Sequence, residues 1–327
     1  MTEPRHRLFA LSAEQQLDAA QAQRMHRLAG LVAPESEPEG LASRLPRGLA
    51  VFGAALLSFG LVMWVAANWD ELGRAGRFAL LQGVVLLAGL AAGRRGGMPA
   101  LGLLALLGTG ALFAYFGQTY QTGADAWQLF ALWAALTLPL ALVLRSDVLW
   151  VPWSLVAVLA VSFWVQTNTG HRWRAEPGDL AVHLEGFALL LLLCLALSPP
   201  ARRWTGAGIW ALRVAVLQST LAVLGAALDG LFASHLAPQY GVGLLLLVLA
   251  AALLASRAGF DIFSLSAVAL AIDVLLIGGL SRLLFDERRG GGDPIGELLV
   301  IGLVAAGLLA ASVSAIMALA RRRAAVR

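Results

Sequence analysis

The sequence predicts an all-α membrane protein, a polytopic transmembrane bundle of about ten spans behind a short cytoplasmic N-terminal helical segment. Hydrophobic residues make up 59% of the 327 residues and charged residues only 13%, whereas a soluble domain carries about 25% charged residues. From residue 48 onward, long apolar runs alternate with short polar breaks. About 20 residues of helix cross the hydrocarbon core of a bilayer, so each run can be a span.

The composition also excludes several classes of protein. All 24 basic residues are arginine, so there is no lysine for a Schiff base, for pyridoxal phosphate chemistry or for a Walker A motif. Cys194 is the only cysteine, which excludes an intramolecular disulfide and a cysteine zinc site. In an apolar chain, the net charge of +4 indicates topology rather than nucleic-acid binding.

Residues 1–47 precede the first apolar run and are predicted to be cytoplasmic. Ser12 and Gln15 have the spacing of a capping box, and apolar residues recur at helical spacing from Leu17 to Leu31. This amphipathic helix either lies on the bilayer surface or on the protein's own loops, the interpretation we favour, or docks a partner protein. Residues 33–48 are proline-rich and acidic and read as a linker.

Residues 48–320 are predicted to form the transmembrane bundle, and residues 321–327 a basic cytoplasmic tail. The runs are too long and continuous for barrel strands, so helices must satisfy their backbone groups in lipid. In the last run Gly302, Ala306 and Ala310 repeat every four residues, which favours close packing within the chain over a dimer face. The predicted spans are 48–67, 76–93, 98–117, 127–144, 148–166, 180–198, 208–228, 240–256, 260–280 and 295–319.

The arginines predict the orientation of the bundle. With the N-terminus inside and ten spans, 16 arginines fall on the cytoplasmic side and 7 on the outer side, so both termini should face the cytoplasm of a bacterium from its inner membrane. Tryptophans near the span ends suggest two interfacial belts, with Trp133 as an exception. The belt residues are Trp64, Trp69, Trp127, Trp164 and Trp173 on the outer side and Trp150, Trp153, Trp204 and Trp210 on the inner side.

Two polar clusters fall at outer span ends and form the candidate outer site. Their side chains either cap helix ends and anchor the interface, which we favour, or line a vestibule for a cation or polar ligand. The cluster residues are Asn68, Trp69, Asp70, Glu71, Gln118, Thr119, Tyr120, Gln121 and Asp125.

The same two regions carry a resemblance to a known family. The runs VAANWDEL and FGQTYQTGADAWQLFALWAALTLPLAL resemble the two signature regions of a bacterial membrane family, domain-of-unknown-function family 2157. The resemblance covers roughly residues 10–145, and it implies a multi-spanning inner-membrane protein without an established activity.

Asp273 is the sharpest candidate inside the spans, near the middle of the ninth. A carboxylate there costs at least about 2.5 kcal/mol on insertion scales, so it should be neutral, paired or facing water. Arg213, in the seventh span, could pair with Asp273, but we expect its side chain to snorkel to the cytoplasmic side. For Asp273, an ion or proton relay and a structural hydrogen bond are equally good interpretations.

The sequence leaves the activity open between two classes. Because no catalytic, metal-binding or cofactor-binding motif is present, the first hypothesis is a non-enzymatic structural or regulatory component acting with other membrane proteins. The alternative is a transporter or channel for a small solute or ion, using Asp273 and the outer cluster. An intramembrane enzyme ranks third, and no cofactor or metal is expected.

Overall fold

A computed structural model of the chain describes residues 18, 21, 41–68, 73–94, 98–120, 123–170, 176–256, 259–286 and 294–324. The chain divides into two units, residues 1–53 and 54–327. In the first unit the Asp18 N–H donates to Gln21 Oε1 at 3.2 Å, and a helix begins at Leu41. The rest of the predicted N-terminal amphipathic helix lies outside the described residues.

The described chain contains eleven α-helices and no strand, so the predicted all-α fold class is confirmed. The helices are α1 Leu41–Ala67, α2 Gly73–Ala92, α3 Pro99–Tyr120, α4 Ala126–Leu144, α5 Asp147–Asn168, α6 Leu180–Ala196, α7 Arg202–Thr205, α8 Ile209–Phe232, α9 Pro238–Ala255, α10 Ile262–Asp286 and α11 Pro294–Ala324. Short 3₁₀ turns, Pro177–Asp179 and Pro199–Ala201, precede α6 and α7.

Within the described residues, nine helices are long and apolar enough to cross a membrane, namely α2 to α6 and α8 to α11. The predicted first span falls in α1, whose described apolar stretch, Gly48–Leu61, is shorter, so the count of ten stays a prediction. The last helix continues through Arg321, Arg322 and Arg323 to Ala324. The first residues of the expected basic tail are therefore helical.

Small residues let the helices of the second unit approach closely. A Cβ at Gly243 of α9 would lie 2.7 Å from the Ala227 Cβ of α8, and a Cβ at Gly110 of α3 would meet the Trp133 ring of α4. Trp133 is held in place by its indole N–H, which donates to Leu106 O at 2.8 Å. This contact explains why Trp133 lies outside the interfacial belts, because its polar atom has a partner within the bundle.

The prediction that Trp150 belongs to the inner interfacial belt is wrong. This tryptophan is almost fully buried, in a cluster with Leu149, Leu197 and Ala211. Its indole N–H donates to Thr205 O at 3.0 Å. The residue is therefore core rather than an interfacial anchor, because the chain after α6 folds back over it.

One end of the second unit gathers the arginines and is called the arginine-rich end below. There Arg145, after α4, donates to the carbonyl of Arg203 in α7, and Arg213 in α8 pairs with Asp261 before α10. Arg323 at the end of α11 donates to Ala255 O at the end of α9. At the opposite end, Arg282 of α10 donates to the carbonyls of Leu231 and Ala233, where α8 ends.

The last helix, α11, packs mainly on α10. Among its residues with described side chains only Glu297 is buried. Gly302, Ala306 and Ala310 are exposed, and a Cβ at Gly302 would meet nothing within 4 Å. The expectation that this small-residue repeat packs within the chain is wrong for the described residues, because α10 contacts another face of the helix.

Candidate functional site: a pocket between three helices

The described members of the predicted outer cluster make local contacts. Asn68 Nδ2 donates to Trp64 O at 2.9 Å and Thr119 Oγ1 donates to Tyr115 O at 2.7 Å. The Tyr120 ring lies 5.0 Å from the Phe116 ring, Gln118 is exposed, and Asp125 precedes α4 without a side-chain capping bond. Trp69, Asp70, Glu71 and Gln121 lie outside the described residues.

Asp273 is buried, with 5% of its surface exposed. Ser312 Oγ of α11 donates to Asp273 Oδ1 at 3.0 Å, which joins the last two helices. Oδ2 has no hydrogen-bond partner among the described residues. The structural interpretation of Asp273 has this bond in its favour, and the relay interpretation has the unpartnered oxygen.

Arg213 neither pairs with Asp273 nor extends freely into water. Its Nη2 and Nε lie 2.7 and 3.0 Å from Asp261 Oδ1, and the two side chains are 24% and 11% exposed. Asp261 also accepts from the N–H and the Oγ of Ser264, at 3.0 and 2.9 Å. The expected snorkelling is therefore corrected to an ion pair that ties the start of α8 to the start of α10.

The Asp261 carboxyl, which precedes the apolar part of α10, is kept charged by these partners. Burial alone would raise its pKa, but hydrogen bonds from Arg213 and Ser264 outweigh burial and hold the pKa below its ordinary value. The pair is thus an electrostatic clamp at the arginine-rich end.

A pocket of about 500 Å³ lies among α5, α6 and α8, in the halves of these helices that lie toward the opposite end. Residues three, four or seven apart share one face of a helix. The C-terminal half of α5 accordingly supplies Ser162 and Gln166, the N-terminal half of α6 supplies His183 and Phe187, and the end of α8 supplies Asp229. Gly186 also lines the pocket, and its missing side chain lets α6 approach Val165 of α5.

The polar groups of the pocket are few and differ in chemistry. His183 is buried, and its Nδ1 lies 2.9 Å from Asp179 O. A carbonyl only accepts hydrogen bonds, so Nδ1 of His183 carries a proton. Asp229 is half-buried and interacts electrostatically with His183, but no hydrogen bond or ion pair joins it to the described residues.

The sequence analysis does not single out Asp229 as a candidate site residue, because the predicted seventh span ends at residue 228. The helix continues to Phe232, which places the carboxylate inside the apolar segment. The apolar residues Leu231 and Phe232 after Asp229 were the available signal. The pairing of α8 with α5 and α6, by contrast, has no signal in the sequence.

Metal binding by these groups finds no support in the part of the chain that the structure describes. It contains no group of three or more His, Cys, Asp and Glu side chains that could hold a metal ion. His183 and Asp229 are the only side chains of these four types among the described lining residues of the pocket.

The fold and the pocket define the class of this molecule as a multi-pass α-helical membrane protein. Residues 10–150 match the family model described as "Predicted membrane protein (DUF2157)", which confirms over this stretch the resemblance drawn from the two motifs. Searches of the curated proteins and of the solved structures find no match. The pocket residues, 159–229, lie after the matched region.

Proposed function

We propose that this protein binds a small organic cation inside the membrane, in the pocket among α5, α6 and α8, as the recognition step of solute transport. The observation that carries the proposal is Asp229, a carboxylate in an apolar helix that lines a cavity and has no cationic partner among the described arginines. Ionisable side chains at membrane depth are costly and usually serve an ion or substrate.

The rest of the lining supports a cation with apolar substituents. Phe163 and Phe187 supply aromatic surface, and an aromatic face attracts a cation within about 6 Å. Gln166 and His183 supply hydrogen-bonding groups beside the carboxylate. A mostly apolar cavity of a few hundred Å³ with a few polar groups is typical of small-molecule sites.

Binding of alkylammonium and benzylammonium ions to the purified full-length protein tests this function. We expect saturable binding by isothermal titration calorimetry and a loss of at least about tenfold in Asp229→Asn, because one charge-assisted contact contributes about 1.5–3 kcal/mol. Glu185→Gln is the matched control, since Glu185 is an exposed carboxylate on α6 and does not line the pocket.

Filling the pocket gives a second arm of the same test. A Cβ at Gly225 would meet nothing within 4 Å, so Gly225→Leu should fold and occupy the cavity, and it should abolish binding. Gly241→Leu, on α9 with equally open space, controls for the loss of a helical glycine. Equal binding by all four variants, or no binding to the parent protein, would reject the proposal. Where binding is found, a flux assay in proteoliposomes distinguishes a transporter from a protein that only senses the cation.

A second candidate is a non-enzymatic component of a membrane complex. The exposed face of α11 favours it, because this helix buries no described apolar side chain. The amphipathic helix predicted from the sequence between Leu17 and Leu31 would be a second contact with other membrane proteins. Affinity purification in mild detergent tests this candidate. Deletion of residues 1–33 should remove a co-purifying protein while the spans stay folded, and unchanged co-purification would argue against it.

The proposed location is a bacterial inner membrane with both termini in the cytoplasm, so that the arginine-rich end is cytoplasmic. Its support is the arginine distribution of 16 against 7. Reporter enzymes that are active on only one side of the membrane, fused after residue 327 and inserted near residue 290, should give opposite results. The same result at both positions would overturn this topology.

A further inference from the structure

The chain between α6 and α8 folds into a corner at the arginine-rich end. After the 3₁₀ turn Pro199–Ala201, the single-turn helix α7 ends at Thr205, and the next residue, Gly206, has φ +67°. Arg145 Nη2 donates to Arg203 O at 2.7 Å, so the turn that joins α4 and α5 is fastened to this corner. The absent side chain of Gly206 is what allows Arg145 to pack against the corner.

Three arginines belong to this single turn or contact it, Arg202 and Arg203 within the turn and Arg145 through its hydrogen bond, and they are called the arginine cradle here. Arg202 Nε donates to Ala207 O at 2.8 Å, and Arg203 lies 4.0 Å over the Trp204 ring. All three side chains are exposed. A guanidinium has five N–H donors, so each arginine keeps donors for a ligand after these contacts are made.

The positive charge of the cradle is not neutralised within the described chain. Asp147 is the carboxylate beside the corner, and it accepts from the backbone N–H groups of Gly208 and Trp210 at the start of α8. It therefore compensates a helix N-terminus. No described carboxylate forms an ion pair with an arginine of the cradle.

The rim of the cradle is apolar and aromatic. Trp204 and Trp210 are 65% and 56% exposed, and Leu192 and Leu195 of α6 are also exposed. Exposed tryptophans at span ends lie at the level of lipid headgroups, and the leucines below them face the acyl chains. Guanidinium groups at this depth are placed to meet lipid phosphate.

We propose that the arginine cradle binds the headgroup of an anionic phospholipid, with its phosphate between the guanidinium groups and its acyl chains along the exposed face of α6. A free phosphate ion shares the headgroup chemistry but would make no use of the two tryptophans or the leucines. The exposed apolar rim therefore favours the lipid. This inference is independent of the pocket among α5, α6 and α8, which lies toward the opposite end.

The test measures binding of short-chain phosphatidylglycerol and phosphatidylcholine to the full-length protein in neutral detergent, by native mass spectrometry. We expect phosphatidylglycerol to bind more tightly. The variant Arg202→Gln plus Arg203→Gln should weaken that binding about 30-fold, since each arginine near a membrane contributes about 1 kcal/mol. Arg321→Gln plus Arg322→Gln removes two exposed arginines at the same end and should change binding less than about twofold.

Arg203→Gln alone keeps the test decisive if the double variant unfolds, because the Arg203 side chain stacks on Trp204 and donates no hydrogen bond to the described backbone. It should weaken binding about fivefold. Equal affinity for the two lipids, or equal losses in the two double variants, would overturn the proposal. Competition by inorganic phosphate at the same concentration as phosphatidylglycerol would overturn it in favour of a simple anion site.

Discussion

The ion pair between Arg213 and Asp261 should be a measurable part of the stability of the bundle. Exposed ion pairs contribute about 0–1 kcal/mol, and removing one partner of a buried pair costs about 3–5 kcal/mol. With side chains 24% and 11% exposed, this pair lies between the two cases. We expect Asp261→Asn to lower the free energy of unfolding by about 2 kcal/mol.

The Asp261 carboxylate also accepts hydrogen bonds from Ser264. A second substitution separates the contribution of these bonds from that of the ion pair. Asn can still accept the N–H of Ser264, whereas Ala cannot, and loss of such a cap costs about 1 kcal/mol. Asp261→Ala should therefore cost about 3 kcal/mol in total. A double-mutant cycle with Arg213→Gln isolates the pair, and its coupling energy should be about 2 kcal/mol.

Equilibrium unfolding in mixed detergent micelles measures these energies, and pH gives an independent check. The pKa of Asp261 is lower in the folded protein than its ordinary value, so the folded state binds this proton less readily. The stabilisation is complete above the ordinary value, about 4, and is lost as pH falls through the lowered value. The parent protein and Asp261→Asn should converge in acid. A coupling energy below about 0.5 kcal/mol, or a stability difference that is constant with pH, would refute this reasoning.

Three further substitutions test the packing, each by the same unfolding measurement. Gly206→Ala should cost at least about 1–2 kcal/mol, because the φ of Gly206 is +67° and a Cβ there would also meet the Arg145 side chain; the same change at Gly241, in open helix, should not destabilise. Gly110→Leu should cost at least about 1–3 kcal/mol, because the side chain would meet the Trp133 ring. Ser312→Ala should cost about 1–3 kcal/mol by removing the one described partner of Asp273, and Asp273→Asn, which can still bond to Ser312, should cost less.

The long helices could be predicted because apolar length is a local property of the sequence. The run that reads as the ninth predicted span, for example, is α10, although the helix ends later, at Asp286. The helix of the seventh run also ends later than predicted, at Phe232 instead of residue 228. Because of this difference of four residues, the sequence analysis leaves Asp229 outside the membrane span. Span ends depend on contacts such as that of Arg282 with the end of α8, and hydropathy does not report contacts.

Partners across the fold could not be predicted at all. Arg213 and Asp261 are separated by 48 residues, and nothing near Arg213 distinguishes a snorkelling side chain from a paired one. Trp150 has the position of an interfacial tryptophan in the sequence, yet it is covered by a corner that begins nearly 50 residues later. In both cases the neighbour that determines the side chain's environment lies in a distant part of the sequence. A sequence pattern describes only the helix to which the residue itself belongs.

The corner that fastens α4 and α5 to α8 also has a consequence for how the protein is made. Asp147 and its partner Gly208 are 61 residues apart, and Trp150 and Thr205 are 55 apart. During synthesis, the first six apolar runs must therefore emerge before the Asp147 carboxylate and the Trp150 indole can meet their partners. A nascent chain that stops before residue 199 therefore lacks the partners of both side chains.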